Sequence, residues 1–172
     1  MTLPISTIKT ALEDWLSDST GLPVVWQFQN KPEPDTPFVS VNPVTSTHRQ
    51  GLFDEAVVDD STGVSTIVGH RTIMASIQAC GSGAYAALTT AQDKLEAPSL
   101  YDGWFYNRGL SAQTGDIRNL TGMKGSRYEQ RAQMDVTITC LSSTLTDDSG
   151  YFDTVVYDSP DLHIPETTIT GA

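Results

Sequence analysis

Apolar residues recur every three to four positions over residues 5 to 16, and after that the period falls to two. Ile5, Ile8, Leu12, Trp15 and Leu16 lie within about a 100° arc of a helical wheel, which predicts an amphipathic helix packed by one face. Pro4 suits its first turn, and Gly21 stands just beyond its end. "VVWQFQ" (24–29) and "PFVSVNPVT" (37–45) read as strands. Prolines 32, 34 and 37 hold the connection between them extended and outside a ladder. Residues 46–63 are polar and turn-rich, so an exposed hairpin or loop is expected there. In 64–80, Ile73, Ala75, Ile77 and Ala79 share one strand face, and Thr72, Met74, Ser76 and Gln78 share the other.

A second helix is predicted from about Ala84 to Ala97, with Tyr85, Leu88 and Leu95 on one stripe and Pro98 as its stop. Residues 99–125 read as irregular and aromatic-rich. The clearest alternation follows. From Arg127 to Leu141, Tyr128, Ala132, Met134, Val136, Ile138 and Cys140 point one way, and Arg127, Glu129, Arg131, Gln133, Asp135, Thr137 and Thr139 the other. Such a strand reaches nearly ~50 Å, against a usual ~17–20 Å, so it bends or runs past its own core. A last strand is expected at "YFDTVVY" (151–157). The expected fold class is α+β: a mainly antiparallel sheet, two helices packed on one face, and long strands extending beyond the core. The expected division is a domain over 1–157 and an acidic C-terminal arm over 158–172.

The chain has 172 residues, the size of one domain, with an apolar fraction of only 38%. No apolar run approaches the length of a membrane span, and the N-terminus lacks a secretory pattern, so no membrane role is expected. Cys80 and Cys140 form no CxxC pair and read as reduced, buried thiols of a protein made in the cytoplasm. The net charge of −11 argues against non-specific binding to nucleic acid or an anionic membrane. It is unevenly placed: from Thr144 onward there are six acids and no base, whereas fifteen acids and all ten bases precede it.

One motif invites an enzymatic reading. Gly81, Gly83 and Ala86 form G-x-G-x-x-A after a strand and before a helix, as in a dinucleotide site. Yet the preceding strand alternates instead of being uniformly apolar, Asp102 sits in a turn-like "LYDGW", and no βαβ unit follows. The glycines are therefore expected to make a tight strand-to-helix turn, with Ser82 available as a cap. His48, His70 and His163 show no ligand spacing, and the Asp59-Asp60 and Asp147-Asp148 pairs read as solvated turns. No catalytic residue, cofactor or metal is expected. Long polar-faced strands with spare backbone groups suit a protein that works through surfaces and edges.

"VVWQFQNKPEPDTPFVSVNPV" (24–44), with Trp26, Asn30, Pro32, Pro34, Pro37, Phe38 and Val39, resembles the signature of bacteriophage neck or tail terminator proteins. The strand-Gly-helix passage from Ile77 to Leu88, "RYEQRAQMDVTI" (127–138) and "YFDTVV" (151–156) extend the likeness over about residues 3–157. The resemblance implies a structural virion protein: a ring, commonly of about six subunits, capping the tail tube and joining it to the head connector. It implies contacts with the tube protein, the neck or connector protein and, in contractile phages, the sheath, with DNA only passing through the lumen. Trp26 and Asn30 are interface candidates on that likeness. Arg127, Glu129, Arg131 and Asp135 are expected to meet a neighbouring subunit or the lumen; the alternative is a solvated face with internal cross-strand pairs. The arm, with β-formers such as Ile164 and Ile169, is expected to dock on a neighbour or partner. Competing readings are another head–tail connector or tail-completion ring component, a monomeric adaptor, and a nucleotide-binding enzyme using the Gly81 loop.

Overall fold

The computed structural model describes residues 3–28, 30, 32, 34–51, 54–59 and 64–146, of which Lys124, Leu145 and Thr146 by their backbone only, together with the backbone of 154–155 and 169–170. Helix α1 (Ile5–Thr20) closes on Gly21, whose φ of 67° lets its N–H reach Ser17 O at 2.8 Å. Strand β1 (Val24–Trp26) is short, and β2 (Phe38–Arg49), β3 (Glu55–Val58) and β4 (Ser65–Cys80) follow. Then come α2 (Ala84–Leu95), α3 (Pro98–Trp104) and a 3-10 turn (Tyr106–Arg108). The chain finishes its main sheet with β5 (Leu110–Thr114), β6 (Arg118–Asn119) and β9 (Arg131–Thr146). Between these last two, β7 (Gly122–Lys124) and β8 (Arg127–Glu129) form a separate hairpin.

The seven-stranded sheet has the order β1-β2-β4-β9-β5, with β3 beside β4 and β6 beside β9. All its pairings are antiparallel except β1 with β2. Its spine is the β4–β9 ladder, paired without a break from Cys80–Arg131 to Ser65–Thr146. Ile73, Ile77, Met134, Val136 and Ile138 bury one face of that ladder against Ile8, Leu12, Trp15, Leu16 and Leu88 of the helices. Trp15 lies at the centre, its Nε1–H donating to Ala91 O at 3.0 Å and its ring edge-on to Phe105 at 5.8 Å. The α+β class and the helices on one face stand as expected.

Several boundaries differ. Among the described residues there are three α-helices, because Pro98 both ends α2 and occupies the first turn of α3, where its missing N–H costs nothing. Trp104 and Phe105, expected in irregular chain, are buried in the core. The strand expected at 24–29 stops at Trp26, and β2 runs on to Arg49. Much of the polar stretch 46–63 is strand: β3 resumes the line of β2 along β4 after residues 50–54. The long strand expected from 127 breaks at Gln130, so Tyr128 is 79% exposed instead of joining Ala132 and Met134 in the core. Of the strand expected at 151–157, Thr154–Val155 pairs with Ile169–Thr170 in a two-stranded ladder apart from the main sheet, across the expected boundary at 157/158.

Candidate assembly surfaces

The glycine loop is committed internally. Gly81, at φ 100°, donates its N–H to Gln130 O at 2.9 Å, and Gly83, at φ 78°, donates to Gln130 Oε1 at 2.8 Å. A Cβ on Gly81 would stand 2.9 Å from both Pro37 Cα and Thr36 Cβ. Close backbone approach is thus the role of this glycine, and the amides that a phosphate would need face a glutamine. The N-cap of α2 is Gly83 with no side-chain cap bond, so Ser82 does not serve as one. The same two bonds mark the point where the 127–141 strand breaks: Gln130 stands opposite Gly81 at the end of the ladder and its side chain is taken up by the loop.

One surface lies at this end of the sheet, on the face away from the helices. Ser40 and Gln78 alternate there with the core residues Val39 and Ile77, and Ser40 Oγ donates to Gln78 O at 3.3 Å. The chain that follows β1 folds over them, and Trp26, Phe28, Pro32, Pro34, Phe38 and Arg131 are among the residues that enclose a groove of about 540 Å³. Phe28 is 88% exposed and has a φ of 63°. A bulky residue in the left-handed region carries about 1–2 kcal/mol of backbone strain. The sequence presents Phe28 as the alternate of Trp26 in a strand, and only the turn after Trp26 makes it a protruding aromatic. Trp26 itself is half-buried with Lys9 Nζ 5.6 Å from its ring centre, and Asn30, in the same connection, is exposed.

Arg131 also lines a second depression, of about 260 Å³, with Leu120, Gly122 and Met123. Met123 and Tyr128 are direct partners across the β7–β8 hairpin, 66% and 79% exposed. Gly125, at φ 66°, with Ser126 makes the turn between them, a glycine-bearing two-residue signal present in "MKGSRY" that the strand reading passed over. Residues 118–131 carry Arg118, Lys124, Arg127 and Arg131 against one acid, Glu129, in a chain of net charge −11. Two of the four expected interface residues are paired with each other: Arg131 Nη2 is 2.9 Å from Glu129 Oε2. Asp135 lies 3.7 Å from Arg118 Nη2, and Arg127 is exposed on the hairpin. The four therefore form no flat stripe. Internal pairs use much of their charge, and the exposed apolar residues beside them, which pattern alone did not single out, dominate the surface. Ile164 lies outside the described residues.

A second surface lies at the opposite end of the ladder. Past Arg71 the sheet leaves its helices: on the face that carried Ile73 and Ile138 it now carries Gly69, Arg71 and Ser142. Asp54, from the break between β2 and β3, takes two bonds from Arg71, at 2.9 Å from Nη1 and 2.7 Å from Nη2, and lies 3.2 Å from Arg49 Nε. A Cβ on Gly69 would collide with the Asp54 carboxylate, so the glycine makes room for it. The Arg71 bond holds the Asp54 carboxyl below its ordinary value, Asp54 raises Arg71 in turn, and burial pushes the adjoining Cys140 thiol up. β5 pairs with β9 from Val136 to Cys140, so β9 runs on from Leu141 to Thr146 beyond the end of β5. Tyr106, Leu110 and Leu141 line a depression of about 240 Å³ where that extension begins.

These surfaces lie on a chain whose residues 6–165 match the family described as phage neck terminator protein. The chain belongs to that family. No curated protein sequence matches it. As a neck terminator it is a structural phage protein, with a role at the tail and neck of the virion and contacts to other head and tail proteins. For such a protein the two ends of the β4–β9 ladder are the features of interest, since they present unlike surfaces at opposite extremes of one rigid element.

Proposed function

We propose that this neck terminator closes into a ring, of about six copies, that caps the tail tube, ends its polymerisation and joins the tail to the head connector. Its place is the tail–neck junction of a virion assembled in the host cytoplasm. Its partners are further copies of itself, the tube protein, the connector and, in a contractile phage, the sheath, with DNA passing through the lumen.

One observation carries this reading: the β4–β9 ladder outruns its helix layer and ends in two different surfaces. A closed cyclic ring needs two complementary patches on every subunit, because each contact is heterologous. An arm carrying the Asp54–Arg71 pair and the Tyr106–Leu141 depression at one end and an exposed apolar, basic surface at the other supply such a pair. An isologous dimer would need only one of them.

Light scattering with negative-stain imaging of the purified protein, alone and with tail tubes, tests the proposal. Closed rings in either sample, and tubes of fixed length in the second, are the expected result. A monomer of 18.6 kDa that still fails to assemble on tubes would overturn it.

A further inference from the structure

We propose that the surface around Arg131, formed by the Phe28 groove and the Met123–Tyr128 hairpin, receives the acidic C-terminal segment of a second copy of this chain. The proposal rests on the ring reading above and names the contact that would join one subunit to the next.

The surface itself asks for a protein occupant. Phe28, Met123 and Tyr128 are each at least 66% exposed, and Arg131 lies between the groove and the hairpin. Exposed apolar side chains of this size, gathered beside a strained turn, mark an interaction site more than a solvated face. They also disfavour duplex DNA, which rewards cations and leaves apolar surface uncovered.

Charge then chooses the occupant. The stretch 118–131 carries four bases and one acid, whereas the segment from Thr144 to Ala172 carries six acids and no base. Within that segment, Asp158, Asp161 and Glu166 are interleaved with Leu162 and Ile164, an acidic and apolar sequence facing a basic and apolar surface. Complementarity of this kind fixes register and speeds association.

Geometry makes the contact intermolecular. Arg131 begins β9 and Thr146 ends it, so the C-terminal segment departs about 50 Å from the groove. The eight steps from Thr146 to Thr154 span at most about 29 Å, and because Val155 is paired with Ile169 the stretch between those two can add no more than about 25 Å. Only a taut chain laid straight back along its own ladder would reach Arg131. In a head-to-tail ring, the neighbour's Arg131 end comes to the segment instead.

The test uses full-length protein in two differently tagged forms, Tyr128→Cys and Asp161→Cys, both carrying Cys80→Ala because Cys80 lines the groove, mixed and oxidised; Cys140 is buried away from it. A crossed disulfide dimer in excess over either homodimer is the expected result. Arg127→Glu or Phe28→Gly added to the first form should lower its yield about tenfold, and the second change should do so without lowering the melting temperature. Absence of the crossed product in a sample whose mass is that of a ring would overturn the docking site and leave the ring intact. Its absence together with monomeric mass, tubes present, would remove both. An intramolecular disulfide in a monomeric Tyr128→Cys/Asp161→Cys chain would place the contact within one copy, and Arg127-dependent capture of a short DNA duplex without the crossed product would give the hairpin to nucleic acid. Either result overturns the proposal.

Discussion

The two halves of the β4–β9 ladder have identical backbone pairing and opposite means of support. From Ile73 to Cys80 and from Arg131 to Ile138, alternate residues are apolar and fully covered by α1, α2 and the Trp104–Phe105 corner. From Ser65 to Arg71, with Cys140 to Thr146 opposite, the same face carries glycine, serine, a half-buried Ile67 and an arginine held by an aspartate. The first half is stabilised by removing apolar area from water, the second by neighbouring strands and charge pairing. What the comparison teaches is that hydrogen-bonded strands do not by themselves mark a core. The half without helices is the half free to serve another chain.

The sharpest way to test the contrast is to truncate one apolar side chain at each half, the buried Trp15 that covers the first and the half-buried Ile67 of the second. Trp15→Ala should cost about 3–5 kcal/mol in denaturant unfolding, because it empties the centre of the core and strands the Ala91 carbonyl. Ile67→Ala, in the arm, should cost no more than about 1 kcal/mol. Equal losses would mean that the arm is as much core as the rest. Next in size is Gly81→Ala, expected at about 1–3 kcal/mol because Pro37 and Thr36 stand against the missing Cβ. Gly83→Ala, in open space, should lose only about 1 kcal/mol. If the two substitutions cost the same, close approach is not what Gly81 provides.

Acid should separate the halves. The folded-state value of Asp54 is lowered, so its contribution is complete above the ordinary carboxylate value, about 3.8, and is lost as pH falls through the lowered one. Amide exchange around Gly69 and Arg71 should therefore quicken in acid before exchange around Ile77 and Met134 does. Asp54→Asn should show the faster exchange already at neutral pH. Uniform behaviour along the ladder would remove the ion pair from the account. The smallest expected effect is a gain: Phe28→Gly should raise the unfolding free energy by no more than about 1 kcal/mol. A loss there would show that the exposed ring supports its own subunit.

The helix-covered half was readable from the sequence because burial imposes contrast. Alternation in 73–79 and 132–140 and the 3.6-residue stripe of α1 follow directly from one face being dry. The arm was not readable for the same reason. Ser46, Thr47, His48 and Arg49 lie in a strand with little apolar contrast between its faces, so their pattern is that of a loop. Asp54 carries no local mark of its bond to Arg71, which lies across a break in the strand. Gln130 looked like one more strand residue because its partners, Gly81 and Gly83, are fifty positions away in the chain. Of the expected interface residues, Arg131 alone lines both depressions, while the apolar groups that define the surface stood in positions that read as strand or loop.

The order in which the ladder pairs also sets the order in which it can fold. Cys80 and Arg131 are separated by the least chain of any β4–β9 pair, and Ser65 and Thr146 by the most. Loop-closure entropy therefore favours zipping from the helix-covered end outward, with the arm formed last. A newly made subunit acquires its solvent-shielded centre before it acquires the arm that runs beyond the helices. That order keeps the strands that lack a helix cover from forming on a chain whose core is not yet made, which is when exposed strands make intermediates stick to one another.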